Sequence, residues 1–394
     1  MSSPFDQIID RRGSGDLKYS RPVLSALSGT ELPDEIYPMW VADTDFAAPP
    51  HVLDAIRRRV DFGIFGYPTL SPAFSQSVCW WQKARFGWEA DPDWVTPLPG
   101  VLAGLNIAIR ALTKPEAGVI IQPPVYDHFF SVLKDTGRRT VLNPLLCRDG
   151  QYEMDLPGLE RLLADPSNTM LILSSPHNPA GRVWREEELR RLGELCLAHG
   201  VILVSDEVHG DIVYRPHVHR PMLSLSSEFR NNFLMLSSPA KTFNLPGLKT
   251  AFAVIPNPAL REKFQSLQAT LSLQVENTLG LTALQAAYTP EGAVWTDRLV
   301  DYLEGNASLT SAFCAQSGLL SMSPLEGTFL AWLSVGGADD QELMRRCGER
   351  GVIPSRGSAY GPGGEGHLRL NIGCPRSRLT AALARMEEAL SSLR

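Results

Sequence analysis

The sequence predicts an α/β protein: a large domain with a mostly parallel sheet flanked by helices, plus a smaller α/β C-terminal domain joined by the N-terminal arm. Three observations carry this expectation. From about Val95 to Leu236, short runs nearly continuous in apolar residues alternate with stretches of helical spacing, as strands buried on both faces require. The 394 residues exceed one ordinary hydrophobic core. The region from about residue 290 onward has strand and helix signals of its own. The expected boundaries are 1–50 for the arm, 51–288 for the large domain and 289–394 for the small one.

In chain order, the first fifty residues are polar and irregular and end in IYPMWVADTDFAAPP. HVLDAIRRRV follows, with Val52, Ile56 and Val60 at helical spacing. The glycine- and proline-punctuated FGIFGYPTLSPAF predicts a loop. Then VLAGLNIAIRAL predicts a helix, GVIIQPP a strand, HFFSVLKDTG a helix, TMLILSSP a strand, EEELRRLGELCLAHG a helix and VILVSDE a strand. Asn232 to Leu236 predicts a buried strand ending in two serines. One long helical region is expected from Pro258 to Tyr288. GTFLAWLSV and HLRLNIGCP predict strands, RLTAALARMEEALSSL a closing helix, and Ser358 to Gly366 a flexible loop.

Composition excludes several classes. Hydrophobic residues make up 44% and charged residues 20%, as in a soluble globular enzyme. A net charge of -6 argues against binding to nucleic acid or to an anionic membrane. No apolar run approaches the ~20 residues of a membrane span, and no signal-peptide core is present at the start. The six cysteines have no paired-ligand spacing, which points to reduced thiols in a cytoplasmic protein without structural zinc.

In parallel sheets ligands sit beyond the carboxyl ends of the strands. SSPHNPAG, SDEVHGD and SSPAKTFN all lie there. Lys241, just past a buried strand, is costly as an ammonium, and desolvation favours the neutral amine that forms a Schiff base with a carbonyl. Asp206 could cap the next helix; beside a pyridine nitrogen it would instead keep that nitrogen protonated. Asn178 and His209 are placed to hydrogen-bond a ring hydroxyl. Ser238 and the amides of Gly100, Val101 and Leu102 suit a phosphate, and Lys249 could add positive charge. Tyr126 is a candidate to stack on the ring. In HLRLNIGCP, alternation turns Arg369 away from Leu368 and Leu370 towards a cleft, where its fork suits a carboxylate.

The set HNPAG, SDEVHGD, SSPAKTFN and LRLNIGCPR resembles the fold-type I, pyridoxal-phosphate-dependent aminotransferase class I/II family over nearly the whole chain. YPMWVADTDF, FGYP, PVYDHFF, DEVHGD and EGTFLAWL resemble its cystathionine β-lyase-like C–S lyase branch. The resemblance implies pyridoxal 5'-phosphate bound through Lys241, which also serves as proton-transfer base. It implies Asp206 on the pyridine nitrogen, Asn178 and His209 on the ring hydroxyl, Ser238 and the Gly100–Leu102 amides on phosphate, Tyr126 stacked, and Arg369 on the substrate carboxylate. It also implies a homodimer in which Tyr67 reaches the neighbour's phosphate, while Trp40 and Ala42 close over substrate. No metal is implied.

Four positions depart from the family pattern. Pro239 and Ala240 stand where glycine and serine are frequent, Thr44 where the branch often has methionine, and Arg356 where proline is common, a charge expected at the entrance. The implied activity is β-elimination from an S-substituted cysteine to thiol, pyruvate and ammonia, with an unusual substrate. Transamination and decarboxylation-coupled deamination share the same carbanion chemistry, and a regulatory binding protein retaining the fold is the alternative of another class.

Overall fold

The computed structural model describes residues 3–274, 277–336 and 339–391. The first segment carries α1 (Arg21–Ser28) and the short strand β1 (Tyr37–Pro38), followed by α2 (Pro50–Asp61) and α3 (Pro72–Phe86). Next come β2 (Val95–Leu98), α4 (Val101–Leu112), β3 (Gly118–Ile121), α5 (His128–Thr136), β4 (Arg139–Leu142) and a hairpin of β5 (Leu146–Arg148) and β6 (Gln151–Glu153). The chain continues through α6 (Leu156–Leu163), β7 (Asn168–Ser174), α7 (Glu186–Ala198), β8 (Ile202–Asp206), β9 (Phe233–Ser237) and β10 (Ala251–Val254). Helices α8 (Pro258–Thr270), α9 (Thr278–Ala287) and α10 (Pro290–Ser317) lead to β11 (Ser321–Met322), β12 (Leu330–Ser334), α11 (Asp340–Glu349), β13 (Val352–Ile353), β14 (Ser355–Arg356), β15 (His367–Asn371) and α12 (Arg376–Ser391).

Seven strands form the central sheet in the order β2-β10-β9-β8-β7-β3-β4. The five from β4 to β9 run parallel, and β10 is antiparallel to both its neighbours. Side chains alternate between two cores, one on each face. Leu171 and Leu173 enter one cluster, while Met170 and Ile172 enter the other. Both faces are therefore covered, which is why these strands read as continuous apolar runs. The register sets Ser174 opposite Asp206 and Asp206 opposite Leu236, so three strands end at one level.

A third cluster unites Phe5, Leu24, Ile36, Tyr37 and Met39 with Leu330, Leu333, Leu368 and Leu370. Strand β1 pairs with β13, laying the first segment along the C-terminal sheet β11-β12-β15-β14. On β15, Leu368 and Leu370 face this cluster, and Arg369 takes the other face, opposite Trp332 and Ser355.

Several expectations are corrected. The helical region from Pro258 to Tyr288 is two helices: Ser272 adopts a left-handed φ of 57° and Asn277 caps α9 by accepting from the Leu279 and Gly280 amides. Residues 275 and 276 of that stretch, and 392 and 393 of the expected closing helix, lie outside the described residues. Helix α3 was not expected; it buries Phe74, Val78 and Trp81. Val60 is 47% exposed, not a core residue of α2. The Ser358–Gly366 loop is anchored, since Tyr360 is buried and its carbonyl accepts from the Val125 amide at 2.9 Å. Arg356 sits opposite Leu368, across β14 from Ser355, and so leaves the face that carries Arg369.

Candidate active site

A cavity of about 240 Å³ opens where β7, β8 and β9 end. It is lined by Ala42, Gly100, Val101, Leu102, Tyr126, Asn178, Asp206, His209, Ser238, Lys241 and Lys249. Residues from six separate stretches of sequence thus converge. Pro99, Ser174, Val208, Ala240, Pro246 and Thr250 complete the wall; of these the sequence singles out Ala240 alone, as a departure from the family pattern.

Local structure fixes each group. After β9, Ser238 Oγ donates to the Thr250 carbonyl at 2.7 Å and accepts from the Ala240 amide at 3.0 Å, turning the chain so that Lys241 faces inward. Thr242 Oγ1 then donates to Asp211 Oδ2 at 2.8 Å, tying the lysine loop to the loop after β8. Lys241 Nζ donates to the Ala42 carbonyl at 2.7 Å. Ser174 Oγ accepts from the Asn178 amide at 3.1 Å, which orients the amide side chain of Asn178 at the end of β7.

Arg369 does not line the cavity; it stands behind Asn178. Its Nη1 donates to Asn178 Oδ1 at 3.0 Å, and its Nη2 to the Trp40 carbonyl at 2.6 Å and to Ser355 Oγ at 3.3 Å. Only 5% of the residue is exposed, its Nε has no partner, and among the described residues it makes no ion pair with a carboxylate. Neutral acceptors hold the fork in place and leave its charge uncompensated. Trp40 lies beside it: its carbonyl receives Arg369, and its indole N–H donates to the Lys18 carbonyl at 3.2 Å. Tyr67 is not brought to the cavity; it is 96% exposed.

Burial shapes the charges. It pulls the Lys241 ammonium down to about 8, helped by repulsion from Arg369 and opposed by Asp43 and Asp206. Burial pushes Asp206 up to about 6, against the Val208 N–H and the attraction of Lys241. His209 is held well below its ordinary value, by burial first and then by Lys241 and Arg369, so its ring is neutral.

Pyridoxal phosphate fits these residues. His209 Nδ1 and Thr250 Oγ1 are buried without partners in the cavity wall, so both await a polar group. The first-turn amides of α4 have no intrahelical acceptors and, with Lys249, suit a phosphate. A buried carboxylate such as Asp206 requires a cationic neighbour, which a protonated ring nitrogen provides. Tyr126 lines the same space, and its ring stacks against His128 with centroids 5.0 Å apart.

The aminotransferase class I and II family pattern matches residues 41–386. Cystathionine beta-lyase PatB of Bacillus subtilis (strain 168) is 41% identical over 391 residues, covering 98% of this chain and all of PatB. Protein MalY of Escherichia coli (strain K12) is 32% identical, covering 99% of each chain. Among solved structures, cystalysin of Treponema denticola, which contains a pyridoxal 5'-phosphate cofactor, superposes with a TM-score of 0.95 at 30% identity over the full length of both chains.

A pH-dependent stability follows from Asp206. Its carboxyl rises from 3.8 to about 6 on folding, so between those values the folded form holds more protons than the unfolded one. Ionisation above that window therefore costs stability, up to about 3 kcal/mol at neutral pH. Cofactor-free Asp206→Asn is expected to be more stable than cofactor-free wild type near pH 7, by about 1–3 kcal/mol in urea unfolding. The advantage should vanish below about pH 4. A wild type that is the more stable of the two at neutral pH would contradict this electrostatic account.

Proposed function

The chain belongs to the class I and II aminotransferase family, and we propose that it is a pyridoxal-phosphate-dependent C–S β-lyase that converts an S-substituted cysteine and water to thiol, pyruvate and ammonia. The observation that carries the reading is the buried, uncompensated Arg369 fork standing behind Asn178 beside the Lys241 amine. It is a receptor for one α-carboxylate next to a base. PatB's name, at 41% identity over its whole length, supports elimination as the outcome. Among the described residues that line the cavity there is no second arginine to add to Arg369 behind Asn178, which disfavours a dicarboxylic transamination substrate.

Bound pyridoxal phosphate supplies an electron-withdrawing ring that acidifies the substrate α-proton. Asp206 would hold the ring nitrogen, Asn178 and His209 the ring hydroxyl, and Ser238, Lys249 and the Gly100–Leu102 amides the phosphate. Tyr126 would cover one face. Arg369 orients the substrate by its carboxylate, presenting the α-hydrogen to Lys241. Lys241 Nζ, close to its titration point at physiological pH, takes that proton. The electron pair freed at the α-carbon then forms the α–β double bond as the β-carbon–sulfur bond breaks with its pair on sulfur; the thiolate is protonated, and water hydrolyses the released enamine to pyruvate and ammonia. The Ala42 carbonyl, which receives Lys241 in this structure, and the Trp40 backbone cover the site from the arm. The reaction belongs in the cytoplasm, where the six free thiols stay reduced.

We extend the reading to a homodimer. Phe62, Ile64, Phe65 and Tyr67 form an exposed apolar stretch that a lone subunit gives no role. Two-fold pairing would cover it and bring Tyr67 to the neighbour's phosphate site.

Two tests follow. With an S-alkyl cysteine, thiol, pyruvate and ammonia should appear in equal amounts without an added keto acid, and Arg369→Ala should raise KM and lower kcat together. Strict dependence on a keto acid with sulfur retained would replace the reading with transamination; carbon dioxide with sulfur retained would replace it with decarboxylation-coupled deamination. For assembly, mixing impaired Lys241→Ala with impaired Tyr67→Phe subunits should restore activity in hybrid dimers. A fully active monomer in sedimentation would refute the shared site.

A further inference from the structure

We propose that Thr250 donates its hydroxyl to the phosphate of bound pyridoxal phosphate, supplying the side-chain donor that Ala240 does not. The inference rests on the cofactor and is independent of the fate of the substrate.

The ends of three strands place the residue. Ala251, the first residue of β10, pairs antiparallel with Leu98 of β2, so Thr250 comes level with Pro99, where the chain enters α4. On its other side β10 pairs Phe252 with Ser237, which brings Thr250 level with Pro239 in the lysine loop. Across this junction the Ser238 hydroxyl donates to the Thr250 carbonyl at 2.7 Å. Thr250 thus stands between the first turn of α4 and the lysine loop, and all three line one cavity. Gly280 of α9 packs so closely that a Cβ there would lie 3.0 Å from Thr250 Cβ, which holds the threonine in place.

The hydroxyl protons are distributed so that one donor stays free. Among the described residues, three serines and threonines line the cavity: Ser174, Ser238 and Thr250. Each hydroxyl has a single proton to give. Ser174 gives its proton to the Pro176 carbonyl at 3.4 Å, and Ser238 to the Thr250 carbonyl. Ser238 also accepts from the Ala240 amide, so it can turn to a phosphate only by loosening the bend that aims Lys241. Thr250 Oγ1 has no partner, although only 3% of the residue is exposed. A buried hydroxyl left unpaired is costly, and a position that needed only a β-branched shape would be met as well by valine.

The surroundings select an anion as the missing partner. Gly100 begins α4 without a side-chain cap, so the first-turn amides are open donors. Lys249, next to Thr250, adds positive charge but is exposed, where solvent screens it. Position 240 lines the same cavity and is alanine, where serine is frequent in the family. The hydroxyl absent there is present at Thr250, at the start of the neighbouring strand.

The test measures binding rather than turnover. Full-length protein stripped of cofactor is titrated calorimetrically with pyridoxal 5'-phosphate and with pyridoxal, which has the same aldehyde and ring and no phosphate. The quantity read is the ratio of the two dissociation constants, in which the shared contacts with Lys241 and Asp206 cancel. Thr250→Val keeps the shape and removes the hydroxyl. It should weaken binding of the phosphate form by about 10- to 100-fold and leave pyridoxal unchanged, as for the loss of one hydrogen bond to a charged group. Thr250→Ser should keep the wild-type ratio. Adding Ala240→Ser to Thr250→Val should recover most of the loss, because it returns a hydroxyl to the same wall. Equal weakening of both ligands in Thr250→Val, or no change in either, overturns the proposal, as does a double variant no better than Thr250→Val alone. Should Thr250→Val not fold, Thr250→Ala, which keeps the Cβ against Gly280, is read by the same ratio. A wild type that binds both ligands equally well would instead remove the phosphate site itself, and the inference with it.

Discussion

Burying the Lys241 amine is the constraint on which the rest of the site depends. Taken out of water with Arg369 nearby, the ammonium is disfavoured, and burial draws it down to about 8. A buried amine still needs a hydrogen-bond acceptor, and the Ala42 carbonyl provides one at 2.7 Å. The chemistry of the lysine thereby dictates the path of a segment two hundred residues earlier in sequence. It also explains why strand β9 ends where it does: Ser238 turns the chain by bonding Thr250, and Thr242 locks it to Asp211.

The arm reaches that position through a set of backbone clamps. Asn244 accepts from the Thr44 amide and donates to the Thr44 and Phe46 carbonyls, at 3.1, 2.8 and 2.8 Å. Asn371 donates to the Val41 and Asp43 carbonyls, and Arg369 to that of Trp40. Behind the clamps, Lys18 and Arg11 meet Asp43 and Asp45 in a buried cluster with contacts of 2.8 to 3.1 Å. Burial alone would raise Asp45, but Lys18 and Arg11 outweigh it and hold its carboxyl low. Charges that would be costly alone offset one another, and they fix the strand of backbone that receives Lys241 and Arg369. Thr44, buried against Gly373, sits inside this clamp, so a residue the sequence sets apart is enclosed by packing.

What the sequence makes legible is what is chemically expensive or strictly periodic. Lys241 and Asp206 at the ends of apolar runs are costly unless partnered, so their positions point to a site; the two-residue alternation around Arg369 indicates its face. Direction is another matter. AFAV in β10 reads the same whichever way the strand runs, so its reversal leaves no trace in the pattern. In α2 the spacing of Val52, Ile56 and Val60 looks helical, yet eight residues rotate the last by about 80° from the first, enough to expose it. Helix α3 has Ser71 before Pro72 at its start and Gly87 at its stop, yet its aromatic-rich interior obscures the apolar stripe that would mark it as a helix. Asn244 and Asn371 are silent in the sequence, because an amide side chain that clasps distant backbone leaves no local pattern. Tyr67 shows the remaining limit: the role proposed for it, at a neighbouring subunit, leaves it exposed in its own chain with nothing there to reveal it.

The central claim is that the buried amine of Lys241 is the group that binds the cofactor's aldehyde. Borohydride reduction of the cofactor-loaded protein, followed by peptide mapping, tests it directly. The account predicts a stable pyridoxyl adduct on the peptide containing Lys241 and none on Lys249, which lines the same cavity and is proposed to face the phosphate. An adduct on Lys249 or on any other lysine, with Lys241 unmodified, would contradict it.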